Sequence, residues 1–176
     1  MTHASKSAHG FTLIELLVTL ALVAILASVA IPTFRDMIAN QALSAASSNL
    51  LSDALQARSA ALKANRPVII ERADSDWSNG WTGYIDQNRD LSFSGTGTDT
   101  LIITQEKFAN GVKQGSGSAG AIGFDSNGFA LKGGAFGAGN YTIYLEQTIT
   151  GRKRNLVVDK TGRARTCNPD SDSNCP

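Results

Sequence analysis

Residues 10–31 read GFTLIELLVTLALVAILASVAI, and this stretch decides how the chain is organised. Glu15 is its single charged residue, and the apolar run has about the 20 residues that a helix needs to cross a bilayer. A secretory signal peptide has a shorter apolar core, followed by a small-residue cleavage site. Here the small residue, Gly10, precedes the apolar run. Cleavage after Gly10 would therefore remove only a polar leader and leave the hydrophobic helix on the protein.

Glu15 is the unusual residue of this stretch. A carboxylate within an apolar span costs about 2.5–3.5 kcal/mol on insertion scales, so it needs a partner or a function. Cleavage after Gly10 would give Phe11 a free α-amino group, about one helical turn from Glu15. We expect that amine, in the same subunit or a neighbouring one, to be the charge partner of Glu15.

The segment Gly10-Phe11-Thr12-Leu13-Ile14-Glu15 resembles the type III leader signature of type IV pilins and type II secretion pseudopilins. The resemblance implies that a prepilin peptidase cuts after Gly10 and methylates Phe11, and that Glu15 serves filament assembly. It also implies a single-pass inner-membrane protein with a periplasmic head that later joins a pilus at the cell surface with other pilins. An ordinary membrane anchor that happens to contain a glutamate is the alternative.

Beyond Pro32 the apolar pattern becomes amphipathic, with apolar residues at helical spacing and polar residues between them. One helix, broken or kinked near Pro32, is expected from Phe11 to about Ala64, where Asn65-Arg66-Pro67 ends it. Many alanines and serines between residues 42 and 61 make this helix narrow enough to lie close against a sheet. A coiled-coil seam is the competing interpretation, but the heptads are imperfect.

After Pro67 the chain alternates short β-branched or aromatic runs with turns. The predicted strands are 68–70, 81–85, 101–104, 121–124, 129–131, 141–145 and 155–159. The sequence thus predicts an α+β fold, in which an antiparallel sheet covers the long helix. We expect five segments: a cleaved leader (1–10), a membrane-spanning half of the helix (11–32), its amphipathic half (33–66), a β-sheet head (67–166) and a C-terminal tail (167–176).

The arrangement around residues 81–90 and the ending from Arg154 to Arg165 resemble the head of the GspH/FimT group of minor pilins. The resemblance spans most of the chain and implies the pilin fold. It leaves two kinds of filament open, a type IV pilus and the pseudopilus of a type II secretion system.

The sequence gives little support for catalysis. Both histidines, His3 and His9, lie in the predicted leader, so the processed chain would lack the usual general base. The two cysteines, Cys167 and Cys175, fit a disulfide formed in an oxidising compartment, with two free thiols as the alternative. Zinc is disfavoured because no further ligands lie near the cysteines. We predict a protein that is not an enzyme and has no cofactor or metal.

Asp86, Asn88 and Asp90 have the spacing that opens a calcium-binding EF-hand loop. Such a loop requires glycine at its sixth position and glutamate at its twelfth. This sequence has Leu91 and Gly97 there, so we predict a solvated turn.

A basic cluster near the C-terminus indicates a binding function more clearly than residues 86–90 do. Residues 152–165 contain six cations and one anion, Asp159, which gives this segment a net charge of +5 in a chain whose net charge is +1. The six cations are Arg152, Lys153, Arg154, Lys160, Arg163 and Arg165. We place the first three in a turn after Gly151 and expect all six to flank one strand as a continuous stripe. Such a stripe suits phosphate backbones, because arginine binds phosphate bidentately and counterion release favours association.

Gly162-Arg163-Ala164-Arg165 resembles the Gly-Arg-x-Arg motif of DNA-binding FimT-type minor pilins, which take up DNA in natural transformation (competence). The resemblance implies that Arg163 and Arg165 contact phosphates, while the other four cations are added by the charge pattern alone. No aromatic residue interleaves with the cluster, so binding should be independent of base sequence and sensitive to salt. The alternatives are a solvated basic edge that prevents sheet aggregation, and a purely structural pseudopilin or pilus-initiation subunit.

Overall fold

The computed structural model describes residues 11–92, 98–108, 111–132, 136 and 138–176. The predicted leader with Gly10, His3 and His9, as well as Gly97, lies outside the described residues.

One helix, α1, runs from Leu13 to Ala64 and passes unbroken through Pro32. At its start the Thr12 hydroxyl accepts the backbone N–H of Glu15 at 3.2 Å, as an N-cap residue does. At its end Asn65 has a φ of 53°, a left-handed conformation that asparagine tolerates and that terminates helices. The sequence therefore predicted the extent of this helix to within two residues, and the structure shows no break at Pro32.

Of the described residues, 11–37 form one unit and Ile38–Pro176 contribute another. In the first unit the large apolar side chains are exposed, from Phe11 at 84 % to Met37 at 58 %. The helix is long and apolar enough to cross a membrane. An apolar surface of this kind requires lipid or other subunits to cover it.

In the second unit one face of α1 is buried, and small residues dominate that face. The buried residues are Ala39, Leu43, Ala46, Ser47, Leu50, Ala54, Ala57 and Ala61. Their spacing of three or four residues forms one stripe along the helix. Because alanine projects only a methyl group, the sheets can approach the helix closely, as the composition predicted.

Two four-stranded sheets pack around this face of α1. The first has the order β3-β2-β1-β5 and the second the order β4-β6-β7-β8, and the neighbouring strands are antiparallel. The strands are β1 (Val68–Arg72), β2 (Trp81–Ile85), β3 (Thr100–Gln105), β4 (Val112–Gln114), β5 (Ala121–Phe124), β6 (Tyr141–Gln147), β7 (Lys153–Val158) and β8 (Ala164–Cys167).

The structure confirms the α+β fold and refines the predicted sheet. The head has two sheets where the sequence indicated one covering layer. Strand β4, only three residues long, and strand β8 were not predicted as strands. The predicted strand 129–131 is reduced to a single bridge between Phe124 and Ala130. These pieces are too short, or too polar, for residue alternation to reveal them.

Both sheets and the buried helix face share one hydrophobic core, in which Trp77, Trp81 and Tyr84 are fully buried. The indole N–H of Trp81 donates to the Asp53 carboxylate of α1 at 2.7 Å, so the polar atom of this large side chain is satisfied. The head therefore has its own core within residues 38–176.

Candidate functional site

The six predicted cations fall into two groups at opposite ends of β7. The first basic group is Arg152, Lys153 and Arg154, where β7 begins, and the second is Lys160, Arg163 and Arg165, around the turn between β7 and β8. Arg165 pairs across the sheet with Val157, so Lys153 and Arg165 lie about 13 Å apart along the sheet. The continuous stripe expected from the sequence is thus two separate groups.

The first basic group was predicted to lie in a turn, but Lys153 and Arg154 belong to β7 and only Arg152 lies in the turn. Successive strand residues point to opposite faces, so Lys153 and Arg154 are directed apart. Lys153 lies opposite Glu146 in the register of β6 and β7, and the Glu146 carboxylate lies 3.7 Å from the Lys113 amine. Arg152 and Lys153 are exposed, and Arg154 is partly buried.

The second basic group is built on a well-defined turn, residues 159–162. The backbone N–H of Gly162 donates to the Asp159 carbonyl at 2.9 Å. The Asp159 carboxylate accepts the Thr161 hydroxyl at 2.5 Å and the Arg163 backbone N–H at 3.2 Å. The hydrogen bond from Thr161, with backbone hydrogen bonds and the positive charge of Arg163, lowers the pKa of Asp159 below its usual value of 3.8.

Gly162, the glycine of the Gly-Arg-x-Arg motif, is required by the packing of this turn. Its φ is 77°, and a Cβ at this position would lie 2.0 Å from the backbone oxygen of Gly128. Any other residue would face both an unfavourable backbone conformation and a clash with main-chain atoms. Gly162 therefore fixes the position from which Arg163 projects.

Arg58 of α1 holds the same turn in place and was not among the residues that the sequence singled out. Its guanidinium donates to the Gly128 carbonyl at 2.9 Å and to the Thr161 carbonyl at 3.0 Å. One helix residue thereby fixes two turns. Carbonyl partners so distant in sequence leave no local signal, so only the structure reveals this role.

Arg163 and Arg165 have different surroundings, although they belong to one motif. The Arg163 side chain is exposed. The Arg165 guanidinium donates to the Asn174 carbonyl at 3.0 Å and lies 3.9 Å from the Asp172 carboxylate. The C-terminal tail thus supplies Arg165 with an anionic partner from within the chain.

The disulfide between Cys167 and Cys175, with a Cα–Cα distance of 5.7 Å, confirms the predicted pairing. It closes the tail back onto the outer face of the second sheet. There the Asn155 amide, only 2 % exposed, donates to the Pro176 carbonyl. Asn155 lies between Lys153 and Arg165 on that face, so the tail covers the space between the two basic groups.

The two basic groups are also linked to distant parts of α1. The turn before the first group is tied to the start of the head helix, because the Gln147 amide donates to the Ala39 carbonyl at 2.8 Å. The Thr150 hydroxyl donates to the Asn40 side chain, also at 2.8 Å. The turn of the second group is tied to Arg58. Arg58 lies eighteen positions after Asn40 in α1, which corresponds to about 27 Å along the helix.

The predicted turn at residues 86–90 is present, but Asp86 is not solvated. Its side chain is fully buried, and its carboxylate accepts the backbone N–H groups of Arg89 at 2.6 Å and Leu91 at 2.9 Å. These bonds satisfy the buried carboxyl oxygens, and both Arg89 and Leu91 have positive φ. Asp86 thus organises the turn. Within the part of the chain that the structure describes, no three His, Cys, Asp or Glu residues are grouped as a metal site.

Comparison with known proteins gives two family matches. The family model of the type II transport protein GspH matches residues 46–162. The prokaryotic N-terminal methylation motif matches residues 5–31. The first match covers most of the head and ends just before Arg163, and the second covers most of the predicted leader and anchor.

A curated pilin is similar to part of the chain. The type IV major alpha-pilin of Moraxella bovis is 31 % identical over 70 residues, which are 40 % of this chain and 44 % of that pilin. The alignment thus spans less than half of the curated relative.

Two solved structures share the fold. The type IV minor pilin FimU of Pseudomonas aeruginosa has a TM-score of 0.59 at 19 % identity, covering 75 % of this chain and 92 % of FimU. The minor pseudopilin EpsH of the Vibrio cholerae type 2 secretion system has a TM-score of 0.50 at 10 % identity, covering 72 % of this chain and 97 % of EpsH.

Proposed function

Because this chain belongs to the GspH family and is a type IV minor pilin or pseudopilin, we propose that it is a pilus subunit whose head binds DNA. In this proposal the second basic group contacts the phosphate backbone without regard to sequence, and the subunit serves DNA uptake in natural transformation.

The proposed life cycle begins at the membrane. The leader, residues 1–10, is removed by the prepilin peptidase after Gly10, and Phe11 becomes the methylated N-terminus. Residues 11–32 hold the protein in the inner membrane with its head in the periplasm until it enters a filament with other pilins. Glu15 then pairs with an N-terminal amine. The match to the methylation motif and the exposed apolar helix support this proposal.

One observation carries the DNA-binding proposal: Arg163 is exposed on a turn that other residues hold rigidly. Arg58 and Gly162 fix this turn, and Lys160, also exposed, lies within it. A turn that is already fixed loses little backbone freedom when it binds, and the planar guanidinium of Arg163 matches phosphate oxygens. The tail partner of Arg165 makes Arg163 and Lys160 the first contacts, and Arg165 joins them by exchanging Asp172 for a phosphate.

A gel-shift measurement with the soluble head, residues 38–176, tests this proposal. The head should retard duplex DNA at low salt and release it as salt increases, because counterion release drives such binding. The double variant Arg163→Ala/Arg165→Ala should lose retardation. Arg152→Ala/Lys153→Ala is the matched control, since it removes the same charge from the first basic group and should retain most of the binding. A wild-type head that fails to retard DNA at low salt would disprove the proposal.

A purely structural subunit is the second candidate function, and the state of Arg165 favours it. An arginine that already binds Asn174 and Asp172 within its own chain has a structural role without any DNA. In that case the head binds other minor pilins, in a type II secretion pseudopilus or at the start of a pilus. Replacing Arg165 would then lower head stability, while DNA would have no effect on the wild-type protein.

A further inference from the structure

The first basic group lies at the end of the head where the chain arrives from its apolar segment. The hydrogen bonds from Gln147 and Thr150 reach Ala39 and Asn40, the residues that directly follow Ile38 in the chain. If residues 11–32 lie in a bilayer, Asn40 is eight residues, or about 12 Å of helix, beyond its surface. The turn between β6 and β7, residues 148–151, is therefore near that surface too.

The composition of this turn suits a lipid surface. Ile149, in this turn, is 58 % exposed, and a Cβ at Gly151 would meet nothing within 4 Å, so the turn faces open space at Gly151. Arg152, Lys153 and Arg154 follow immediately. An exposed apolar residue beside several cations is the combination that binds the boundary between acyl chains and anionic headgroups.

Charge near this turn remains positive after its neighbours are considered. Glu146 of β6 faces Lys153, but its carboxylate also pairs with Lys113. Among the described residues, no carboxylate lies within ion-pairing distance of Arg152, Lys153 or Arg154. The second basic group has Asp159 and Asp172 beside it, whereas the first has cations in excess.

We propose that the first basic group and Ile149 contact anionic phospholipid headgroups at the surface of the membrane that holds the helix. This inference rests on the membrane anchoring in the proposed function, and is independent of DNA binding. It assigns the two basic groups to different partners, because the turns that carry them are tied to helix positions about 27 Å apart. The contact would orient the head on the bilayer before the subunit enters a filament.

The test uses the full chain inserted into vesicles. A fluorophore is attached at Thr148→Cys, an exposed position beside Ile149, and a quencher is carried by the lipid headgroups. Vesicles of phosphatidylcholine are compared with vesicles that also contain about 30 % phosphatidylglycerol, an anionic lipid. We expect stronger quenching with phosphatidylglycerol, and we expect added salt to remove the difference.

Two triple variants, each of which removes three positive charges, distinguish the roles of the two basic groups. Arg152→Gln/Lys153→Gln/Arg154→Gln should lose the phosphatidylglycerol-dependent quenching and keep DNA binding. Lys160→Gln/Arg163→Gln/Arg165→Gln should keep the quenching and lose DNA binding. Equal quenching of the wild type in both kinds of vesicle would overturn the inference, even if the first triple variant failed to fold. Unchanged lipid dependence in that variant would also overturn it. DNA binding that persists in the second triple variant would disprove the DNA proposal alone.

Discussion

Arg163 and Arg165 are two positions apart in the sequence, and their side chains have different partners. Arg163 is exposed on the turn, whereas Arg165 is bound by Asp172 and Asn174 of the tail. The charge count over residues 152–165 did not include the tail. Arg163 and Arg165 were therefore predicted to contact phosphates in the same way. The disulfide was predictable from two cysteines, but the carboxylate that it brings to Arg165 was not.

The difference predicts unequal effects of single substitutions on DNA affinity. Arg163→Ala should weaken binding roughly tenfold at low salt, because it removes one of the first phosphate contacts. Arg165→Ala should weaken binding less. Asp172→Asn should strengthen it about two- to fivefold, the range expected when an exposed ion pair no longer competes. Fluorescence anisotropy with a labelled duplex measures all three, and a decrease in affinity for Asp172→Asn would contradict the model.

Asp159 predicts how the turn responds to acid. Its pKa is lowered in the folded head, so its ionised form stabilises the fold at any pH above the unfolded value of about 3.8, and this contribution is lost as the pH falls through the folded value. The free energy of unfolding, measured with denaturant from about pH 6 down to about pH 3, should fall less steeply for Asp159→Asn than for the wild-type head. An identical acid dependence in the two proteins would exclude this role for Asp159.

At the scale of elements, the β7–β8 hairpin shows what the sequence could and could not specify. Alternating residues predicted most of β7, and Gly162 was noted as part of a motif. The reason for glycine is the approach of the Gly128 backbone, 34 residues away in the chain. Arg58, on a third element, completes the same contact. Such long-range contacts are specified by the fold, and local propensity does not contain them.

Gly162 and Gly151 form a matched pair that tests this explanation. Both have positive φ, at 77° and 68°, but a Cβ would clash with a backbone oxygen at Gly162 and meet nothing at Gly151. Gly151→Ala should therefore cost about 1–2 kcal/mol of unfolding free energy, the price of the left-handed conformation alone. Gly162→Ala should cost about 3 kcal/mol or more, because the turn must also move. Equal losses in denaturant unfolding would show that the contact with Gly128 is unimportant.

At the scale of the whole molecule, the sequence specified the class of protein better than its surface. The leader motif, the apolar run and the amphipathic continuation predicted a membrane-anchored pilin, and the family match and the shared fold confirm the pilin family and fold. The head surface depends on which turns the sheets bring together. Six cations within 14 residues formed one group in the sequence, but β7 separates them and the tail covers the gap.

The salt dependence of DNA binding by the head tests whether the second basic group binds the phosphate backbone. The logarithm of the association constant, plotted against the logarithm of salt concentration, has a slope of about −0.9 for each phosphate neutralised. We predict a slope near −3 for the wild-type head, a nearly unchanged slope for the variant lacking the first basic group, and no measurable binding by the variant lacking the second. A slope that flattens only when Arg152, Lys153 and Arg154 are neutralised, or a wild-type head with no measurable affinity at low salt, would contradict the account.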